Sequence, residues 1–257
     1  MKVTILGCGG SSGTPAVGRG WGKCDPENSK NSRLRPSILV ENGDTSLLVD
    51  TSPDLRQQML NEDISRLDAV LFTHYHADHL HGIDDLRQIN REMNAAIDTY
   101  ADADTLDVIK KRFGYVLEPL AEDADMYYKP TLVPHVLKDR DQLTLGNIDI
   151  DVYQQDHGYC DTLGFRFGPI AYSTDVVELP DHAFEILKGV DTWIIGTLTD
   201  STHPTHAHVD KALEWIDRIK PRRGVLTHLG FDFDYDTLKD RLPDQVEPAF
   251  DGMVLQA

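Results

Sequence analysis

The sequence has few features of secreted or membrane proteins. Its three cysteines, Cys8, Cys24 and Cys160, lie far apart and form neither a CxxC pair nor an even-numbered disulfide framework. No apolar run approaches the roughly 18 residues of a membrane span, so no membrane contact is predicted. We expect a reduced, cytoplasmic protein, because glycines interrupt the apolar run after Met1 before a signal-peptide core forms.

Basic residues are also scarce. The chain has 25 Lys and Arg against 43 Asp and Glu, which gives a net charge of −18. Large nucleic acids are captured through basic surfaces, so we expect no large nucleic acid as a partner. A small phosphorylated substrate stays compatible with this charge, since a local group of cations can outweigh the average field.

The β-rich and helical patterns that follow one another along the chain predict one α/β domain over residues 1–257, with two sheets and outer helix layers. Asn42-Gly43 between two β-rich runs indicates a hairpin. A helix is predicted over residues 53–61, with Ser52 as its N-cap. The acidic and aromatic segment 114–129 indicates an insertion or a lid.

The glycine-rich segment GCGGSSGTP, residues 7–15, invites comparison with dinucleotide-binding fingerprints. The third glycine of G-x-G-x-x-G would fall on Ser12, and Pro15 stands where the helix should begin. We therefore predict a flexible loop near the active site instead of a cofactor site.

Histidine is concentrated in LFTHYHADHLHG, residues 71–82, which holds four of the 11 histidines directly after an apolar run typical of a buried strand. In extended backbone His74 and His76 point the same way and can hold one ion, and a turn would direct Asp78 and His79 to a second. Imidazole and carboxylate suit Zn²⁺ and similar cations. A surface histidine cluster without metal is the alternative, which this spacing disfavours.

The segment THYHADH, residues 73–79, resembles the HxHxDH signature of the metallo-β-lactamase superfamily. QQDHG, YSTD and GVLTH, each after a predicted strand, resemble the later ligand segments of that family. The resemblance implies an αββα four-layer sandwich with two divalent ions, Zn²⁺ or Mn²⁺, and Asp50 as a buried residue that orients the metal loop. The implied metal ligands are His74, His76, Asp78, His79, His157, Asp175 and His228, with Asp175 bridging the two ions.

The chain most resembles the phosphodiesterase branch of this family, of the phosphoribosyl 1,2-cyclic phosphate phosphodiesterase type. Its opening GxGGSxGxP pattern, its STD segment and the ending Asp251-Gly252-Met253 are similar. The resemblance implies a phosphoric diester hydrolase in which a metal-bridging hydroxide attacks a small cyclic, nucleotide or ribose-type diester. His206, in HPTHAHVD, resembles the general acid of that branch. His208 is the second candidate and His203 the weakest, and Asp78 also counts among the catalytic residues.

Substrate contacts are predicted from charged residues near these motifs. Arg33 and Arg35 are candidates because guanidinium forks match phosphate geometry, although a solvated strand start would look the same. Asp85 and Arg87 follow the metal loop and could line the pocket or form a surface ion pair.

One departure from this branch concerns a structural zinc site that its members often carry after the first strand. The corresponding segment here retains only Cys24, so no third zinc is predicted, and the phosphoribosyl substrate becomes less certain. Alternatives that stay open are a thioester or lactone hydrolase of the same fold, an RNA-processing nuclease, and a non-catalytic metal-stabilised module. A homodimer is compatible with the sequence.

Overall fold

The computed structural model describes residues 1–257, which form two seven-stranded sheets. The first sheet contains β1 (Lys2–Gly7), β2 (Ser37–Asn42), β3 (Thr45–Val49), β4 (Ala69–Leu71), β5 (Ile97–Ala101), β6 (Leu132–Val136) and β14 (Met253–Gln256). The second contains β7 (Gln142–Leu145), β8 (Ile148–Asp156), β9 (Asp161–Phe167), β10 (Ile170–Ser173), β11 (Thr192–Gly196), β12 (Arg223–Thr227) and β13 (Val246–Pro248). The spatial orders are β14-β1-β2-β3-β4-β5-β6 and β13-β12-β11-β10-β9-β8-β7.

Seven α-helices cover the sheets. They are α1 (Leu55–Asn61), α2 (Ala77–Leu80), α3 (Leu86–Met93), α4 (Ala103–Phe113), α5 (Asp181–Leu187), α6 (Val209–Ile219) and α7 (Tyr235–Lys239). Single 3-10 turns occur at Ser29–Asn31, Ile83–Asp85 and Gly114–Leu117. None of the helices is both long and apolar enough to cross a membrane.

Three apolar clusters separate four layers of structure. Side chains of both sheets, such as Ile38 and Phe165, meet in a central core. Because side chains alternate along a strand, Leu39 points the other way and packs among residues from α1, α3 and α4. On the second sheet Trp193 packs with residues from α5, α6 and α7. The αββα sandwich that the resemblance implied is therefore confirmed.

Local predictions agree with the structure in part. The hairpin at Asn42-Gly43 is present, with Gly43 at a φ of +55° that favours glycine. The first helix begins at Leu55, so the prediction of Ser52 as its N-cap is wrong. The Ser52 hydroxyl instead accepts a hydrogen bond from the backbone N–H of Asp54.

The strands β5, β7 and β13 have no counterpart in the sequence interpretation. β7 is a partly exposed edge strand, and β13 has three residues and ends at Pro248 on the opposite edge, so neither carries a strong apolar run. The segment 114–129 has little regular structure. Two hydrogen bonds hold the segment against α3 and the 3-10 turn before it: Tyr115 donates to Asp84, and Arg91 donates to the Tyr127 carbonyl.

The sheet topology places the loops that carry chemistry at one edge. β3, β4 and β5 run parallel to one another, as do β10, β11 and β12. Residues just after the carboxyl ends of neighbouring parallel strands lie side by side. Two such edges face each other across the central core, and the predicted ligands lie there.

Candidate metal centre

The structure brings all seven predicted metal ligands together in two clusters. The ligand atoms of each cluster lie within 4.8 Å of one another. The first cluster contains His74, His76, His157 and Asp175, and the second contains Asp78, His79, Asp175 and His228. Asp175 is the residue that both clusters share.

The contiguous ligands lie on the loop after β4. His76 has extended backbone and precedes α2, whose single turn carries Asp78 and His79. The change from extended to helical backbone directs the two pairs of side chains to different clusters, as the sequence spacing indicated. The carbonyl of Thr73 accepts a hydrogen bond of 2.9 Å from the backbone of Leu163, which joins this loop to the second sheet.

Asp175 follows β10 and directs its two carboxylate oxygens to different clusters. Its Oδ2 lies 3.4 Å from His157 Nε2 and 3.7 Å from His74 Nε2. Its Oδ1 lies 3.1 Å from His228 Nε2 and 3.4 Å from His79 Nε2. One carboxylate therefore faces both groups of imidazoles.

These residues fit two divalent cations. The Nε2 atoms of His74 and His79 are buried and have no hydrogen-bond partner, and burying such an atom unpaired is unfavourable. The imidazole and carboxylate donors suit ions such as Zn²⁺ and Mn²⁺. A cation beside each cluster would give both Nε2 atoms a partner.

The buried carboxylates of the clusters stay ionised, which favours the binding of cations. Burial raises the pKa of Asp175, but His228 and His79 more than offset this and hold it well below its usual range. Burial alone would lower the pKa of His79, yet Asp175, Asp78 and Asp50 together raise it well above its ordinary value. Without metal, the carboxylates thus stay ionised and draw a proton onto a buried imidazole.

Contacts outside the clusters fix the orientation of two ligands. Asp50 Oδ2 lies 2.7 Å from Nδ1 of His79, and Asp50 accepts hydrogen bonds of 2.8 Å from the backbone N–H and the hydroxyl of Thr73. His157 Nδ1 lies 2.6 Å from the carbonyl oxygen of Thr205. Such partners select the ring tautomer and leave Nε2 free for a metal. Asp50 belongs to neither cluster, so its geometry fits an orienting role.

Of the three histidines at residues 203–208, His206 lies against the clusters. Its ring centroid is 4.7 Å from that of His157 and 5.0 Å from that of His228. Burial lowers the pKa of His206 to about 3, and the charge of Asp175 only partly offsets this, so the imidazole is neutral in the free protein. His203 contacts the His206 ring, and His208 is the N-cap of α6.

The predicted phosphate-binding arginines have different surroundings. The Arg35 guanidinium forms two hydrogen bonds with Asp54, of 2.8 and 2.5 Å, and its side chain is partly exposed. Arg33 is 2% exposed and donates to Asn31 and Cys24. Arg35 can therefore still meet a ligand, whereas the contacts of Arg33 give its predicted role no support.

Asp85 and Arg87 line a surface groove against α1, together with Arg56 and Glu92. That groove contains none of the cluster residues. Their predicted role in substrate binding stays a prediction without a supporting contact.

The sequence interpretation missed residues that support the ligands. Thr73 is one, since its hydroxyl also lies 3.0 Å from Nδ1 of His74. Its place at the start of THYHADH was a usable signal. Thr205 acts through its backbone carbonyl and Asp54 through an arginine 19 residues earlier in the chain, and neither leaves a local pattern in the sequence.

A cavity of about 370 Å³ lies close to His228 across Gly10, although none of the cluster residues lines it. It is lined by the glycine-rich residues 10–12, by Lys23, and by residues 198–201 and 230–233. A Cβ atom on Gly10 would lie 3.7 Å from Nδ1 of His228, so this loop approaches the second cluster. The predicted position of the glycine-rich loop near the site therefore agrees with the structure.

Comparison with known proteins gives related sequences. A family model described as the β-lactamase superfamily domain matches residues 45–229. An octanoyltransferase from Porphyromonas gingivalis is 31% identical over 256 residues, which is 98% of this chain and 51% of that protein. A ribonuclease Z from a Bradyrhizobium species is 30% identical over 141 residues, covering 53% of this chain and 45% of that protein. The chain thus spans about half the length of these relatives.

Comparison with solved structures finds proteins of the same fold along nearly the whole chain. A new diphosphatase from the PhnP family has a TM-score of 0.88 and 31% identity, and the match covers 99% of this chain and 96% of that one. Zn²⁺-bound PqqB from Methylobacterium extorquens has a TM-score of 0.77 with 18% identity, over the full length of both chains. At that lower identity the second similarity concerns the fold alone.

Proposed function

Because this chain belongs to the β-lactamase superfamily domain family and is a hydrolase of the metallo-β-lactamase fold, we propose that it cleaves a small phosphoric diester with two divalent cations. The observation that carries the proposal is the position of Asp175, whose Oδ2 faces the first cluster and whose Oδ1 faces the second. Paired cations held in this way suit in-line displacement at phosphorus. The diphosphatase and ribonuclease Z names of two relatives support a reaction at phosphorus.

The cations, when bound, would supply an activated water and positive charge for the phosphoryl oxygens. His74, His76, His157 and Asp175 would hold one of them, and Asp78, His79, Asp175 and His228 the other. Asp50 and the Thr205 carbonyl keep two of these imidazoles in the required tautomer.

His206 is the proposed proton donor to the leaving alkoxide. Its ring lies against imidazoles of both clusters, so it would also lie close to a phosphate held between them. His206 is neutral in the free protein, so it must gain a proton before it can act as the donor. His208 has no comparable ring contact and stays the second candidate.

Arg35 is the proposed second contact to phosphate. Its Nε and Nη2 groups already donate to Asp54, so a phosphate would be met by the Nη1 group, which these two bonds leave free. The cavity beside His228 would hold the organic group of the diester, and its volume is at the lower end of small-molecule sites. A small substrate also agrees with a net charge of −18, which disfavours a polyanionic partner.

The test compares substrates after the protein is stripped of metal and reloaded with Zn²⁺ or Mn²⁺. We expect metal-dependent turnover of bis(p-nitrophenyl) phosphate and much slower turnover of a lactone and a glutathione thioester. His206→Ala should retain both ions and slow the cleavage of a diester with an alkyl or ribose leaving group by roughly 10²–10⁴, the usual contribution of a general acid, and should slow the nitrophenyl ester much less because its leaving group needs little protonation. Turnover confined to the thioester or lactone would refute the proposal, and slowing only with His208→Ala would reassign the acid.

Processing of RNA is a second candidate, which the similarity to ribonuclease Z favours. A preference for structured RNA over the nitrophenyl ester, with binding that weakens steeply as salt rises, would support it.

A further inference from the structure

The ending Asp251-Gly252-Met253 lies where the chain crosses from one sheet to the other. β13 belongs to the second sheet and β14 to the first, so residues 249–252 form the crossover. The backbone N–H of Ala249 donates to Leu226 of β12, and that of Gly252 donates to Ile5 of β1. Asp251 therefore lies on a turn that is bonded to both sheets.

The carboxylate of Asp251 holds the chain that continues from β1 toward the second cluster. Its Oδ1 accepts a hydrogen bond of 3.0 Å from the backbone N–H of Cys8, and its Oδ2 accepts one of 2.6 Å from that of Leu34. The N–H of Gly9 donates in turn to the Leu34 carbonyl at 2.8 Å. Two separate segments thus receive their positions from one side chain.

Backbone hydrogen bonds connect these segments to Leu229, the residue after His228. The carbonyl of Cys8 accepts a hydrogen bond of 2.8 Å from the N–H of Leu229, and the Leu229 carbonyl accepts one of 3.0 Å from Gly10. β12 ends at Thr227, so His228 lies beyond the strand ladder, at a φ of +56° that non-glycine residues rarely adopt. Leu229 directly follows His228, and its two hydrogen bonds to Cys8 and Gly10 hold it against the loop that follows β1.

We infer that Asp251 is a positioning residue that sets the affinity of the second cluster for its ion. Both clusters take ligands from both sheets, but the Cys8–Leu229 pair adjoins His228, which belongs to the second cluster alone. Supporting groups of this kind typically change metal affinity by 10–100-fold, as an order of magnitude. The inference rests on the proposed two-ion site and deepens it.

Asp234 offers a matched control. It too accepts backbone hydrogen bonds from separate segments, from Asp25 at 3.2 Å and Thr237 at 3.0 Å, and also one from the Asn31 side chain. These contacts join residues 25–31 to the start of α7, and none of them involves Cys8 or Leu229. The segment it holds follows Lys23, which lines the cavity beside His228, so a general loosening of this region would show in both variants.

The experiment titrates metal-free protein with Zn²⁺ in a competing chelator by calorimetry, and repeats it with Co²⁺ followed by absorbance. In Asp251→Asn the amide cannot accept both backbone bonds, so we expect the first ion to bind within about threefold of wild type and the second about 10–100-fold more weakly. Asp234→Asn should bind both ions as wild type does but melt at a lower temperature, because the amide cannot accept both backbone hydrogen bonds from Asp25 and Thr237.

Unchanged affinity for both ions in Asp251→Asn, or equal weakening of both, would overturn the inference. If Asp251→Asn does not fold without metal, Asp251→Ser is measured in the same way, and failure of both to fold would show that the residue serves the fold as a whole. Wild-type protein that binds one ion or none would count against the proposed function. Two ions in wild type and an unaffected variant would count against Asp251 alone.

Discussion

The two halves of the molecule supply the candidate metal centre in different ways. The first half provides four of the seven ligands from one short loop, residues 74–79, whose shape is set by a single helical turn. The second half provides three ligands, His157, Asp175 and His228, each after a different strand. The first set is a local structure that follows from the sequence spacing, whereas the second set comes together only when β8, β10 and β12 are correctly aligned within the second sheet.

Backbone conformation shows the same contrast. His76 precedes α2 in ordinary extended backbone, but Asp175 and His228 have φ values of +48° and +56°. Positive φ is unfavourable for non-glycine residues and persists where surrounding structure enforces it. The scattered ligands therefore depend on neighbouring contacts more than the contiguous ones do, and substitutions in the two regions should differ in effect.

The largest effect is expected at Asp175, the one ligand that both clusters share. Asp175→Asn removes a charge shared by both clusters, so both ions should bind more weakly and turnover of bis(p-nitrophenyl) phosphate should fall by about 10⁴ or more, since metal ions contribute several kcal/mol. Metal analysis and kinetics measure both quantities. The control is Asp68→Asn, which should change neither metal affinity nor turnover. Asp68 directly precedes β4, and its carboxylate accepts a hydrogen bond from the backbone N–H of Ser46.

The next effect tests the contiguous loop through its support. Asp50→Asn leaves all seven ligands in place but weakens the acceptor for His79 Nδ1, so we expect a loss of 10–100-fold in metal affinity, as an order of magnitude. Calorimetric titration with Zn²⁺ measures it. If the loss is negligible, α2 and Thr73 alone fix the loop, and the contiguous region would be more independent than its hydrogen bonds indicate.

A third measurement concerns the connection that serves the scattered ligands. Burial raises the pKa of Asp251 to about 7, compared with about 3.9 in an unfolded chain. The protonated group contributes stability that is fully present below about pH 4 and is lost as pH rises through about 7. Metal-free wild type should therefore lose stability relative to Asp251→Asn between pH 4 and pH 8, by a few kcal/mol.

Thermal melts at about 2–4 °C per kcal/mol would resolve that difference. Both proteins carry the same histidine clusters, so the titration of those groups cancels in the comparison. A difference in melting temperature that does not vary with pH would mean that Asp251 stays ionised and that its burial is less unfavourable than its surroundings indicate.

The smallest effect is expected at Thr205. His157 bonds to the carbonyl of this residue, not to its side chain, so Thr205→Ala should change kcat/KM by less than about threefold. A large loss would show that the hydroxyl, which lies 3.2 Å from Nδ1 of His203, matters to the site through that histidine.

The sequence predicted those parts of the molecule that have local patterns. The strands rich in apolar residues, the hairpin at Gly43 and the spacing of residues 73–79 each follow from short-range rules. His157, Asp175 and His228 could be placed only through resemblance to a family, because no local pattern sets them apart from other loop residues. The structure brings them to the clusters through strand order.

What the sequence could not show was the environment of charged side chains. Arg33 and Arg35 are two residues apart and read as one basic pair, yet one is buried against Asn31 and Cys24 and the other faces Asp54. Asn31 and Cys24 are only two and nine residues from Arg33, so nearness in sequence did not reveal which side chain each arginine would meet. Burial is a property of the packed chain, so composition around a residue is a weak guide to it.

The left-handed backbone at Asp50, Asp175 and His228 has an evolutionary consequence. Glycine would relax each of these positions, by about 1 kcal/mol or more, and would at the same time delete a carboxylate or an imidazole. Variants screened for heat resistance alone should therefore accept glycine at positions 175 and 228 and lose activity, whereas glycine at position 50 would leave the buried N–H and hydroxyl of Thr73 without their acceptor. Keeping Asp175 and His228 requires continued selection for what they hold.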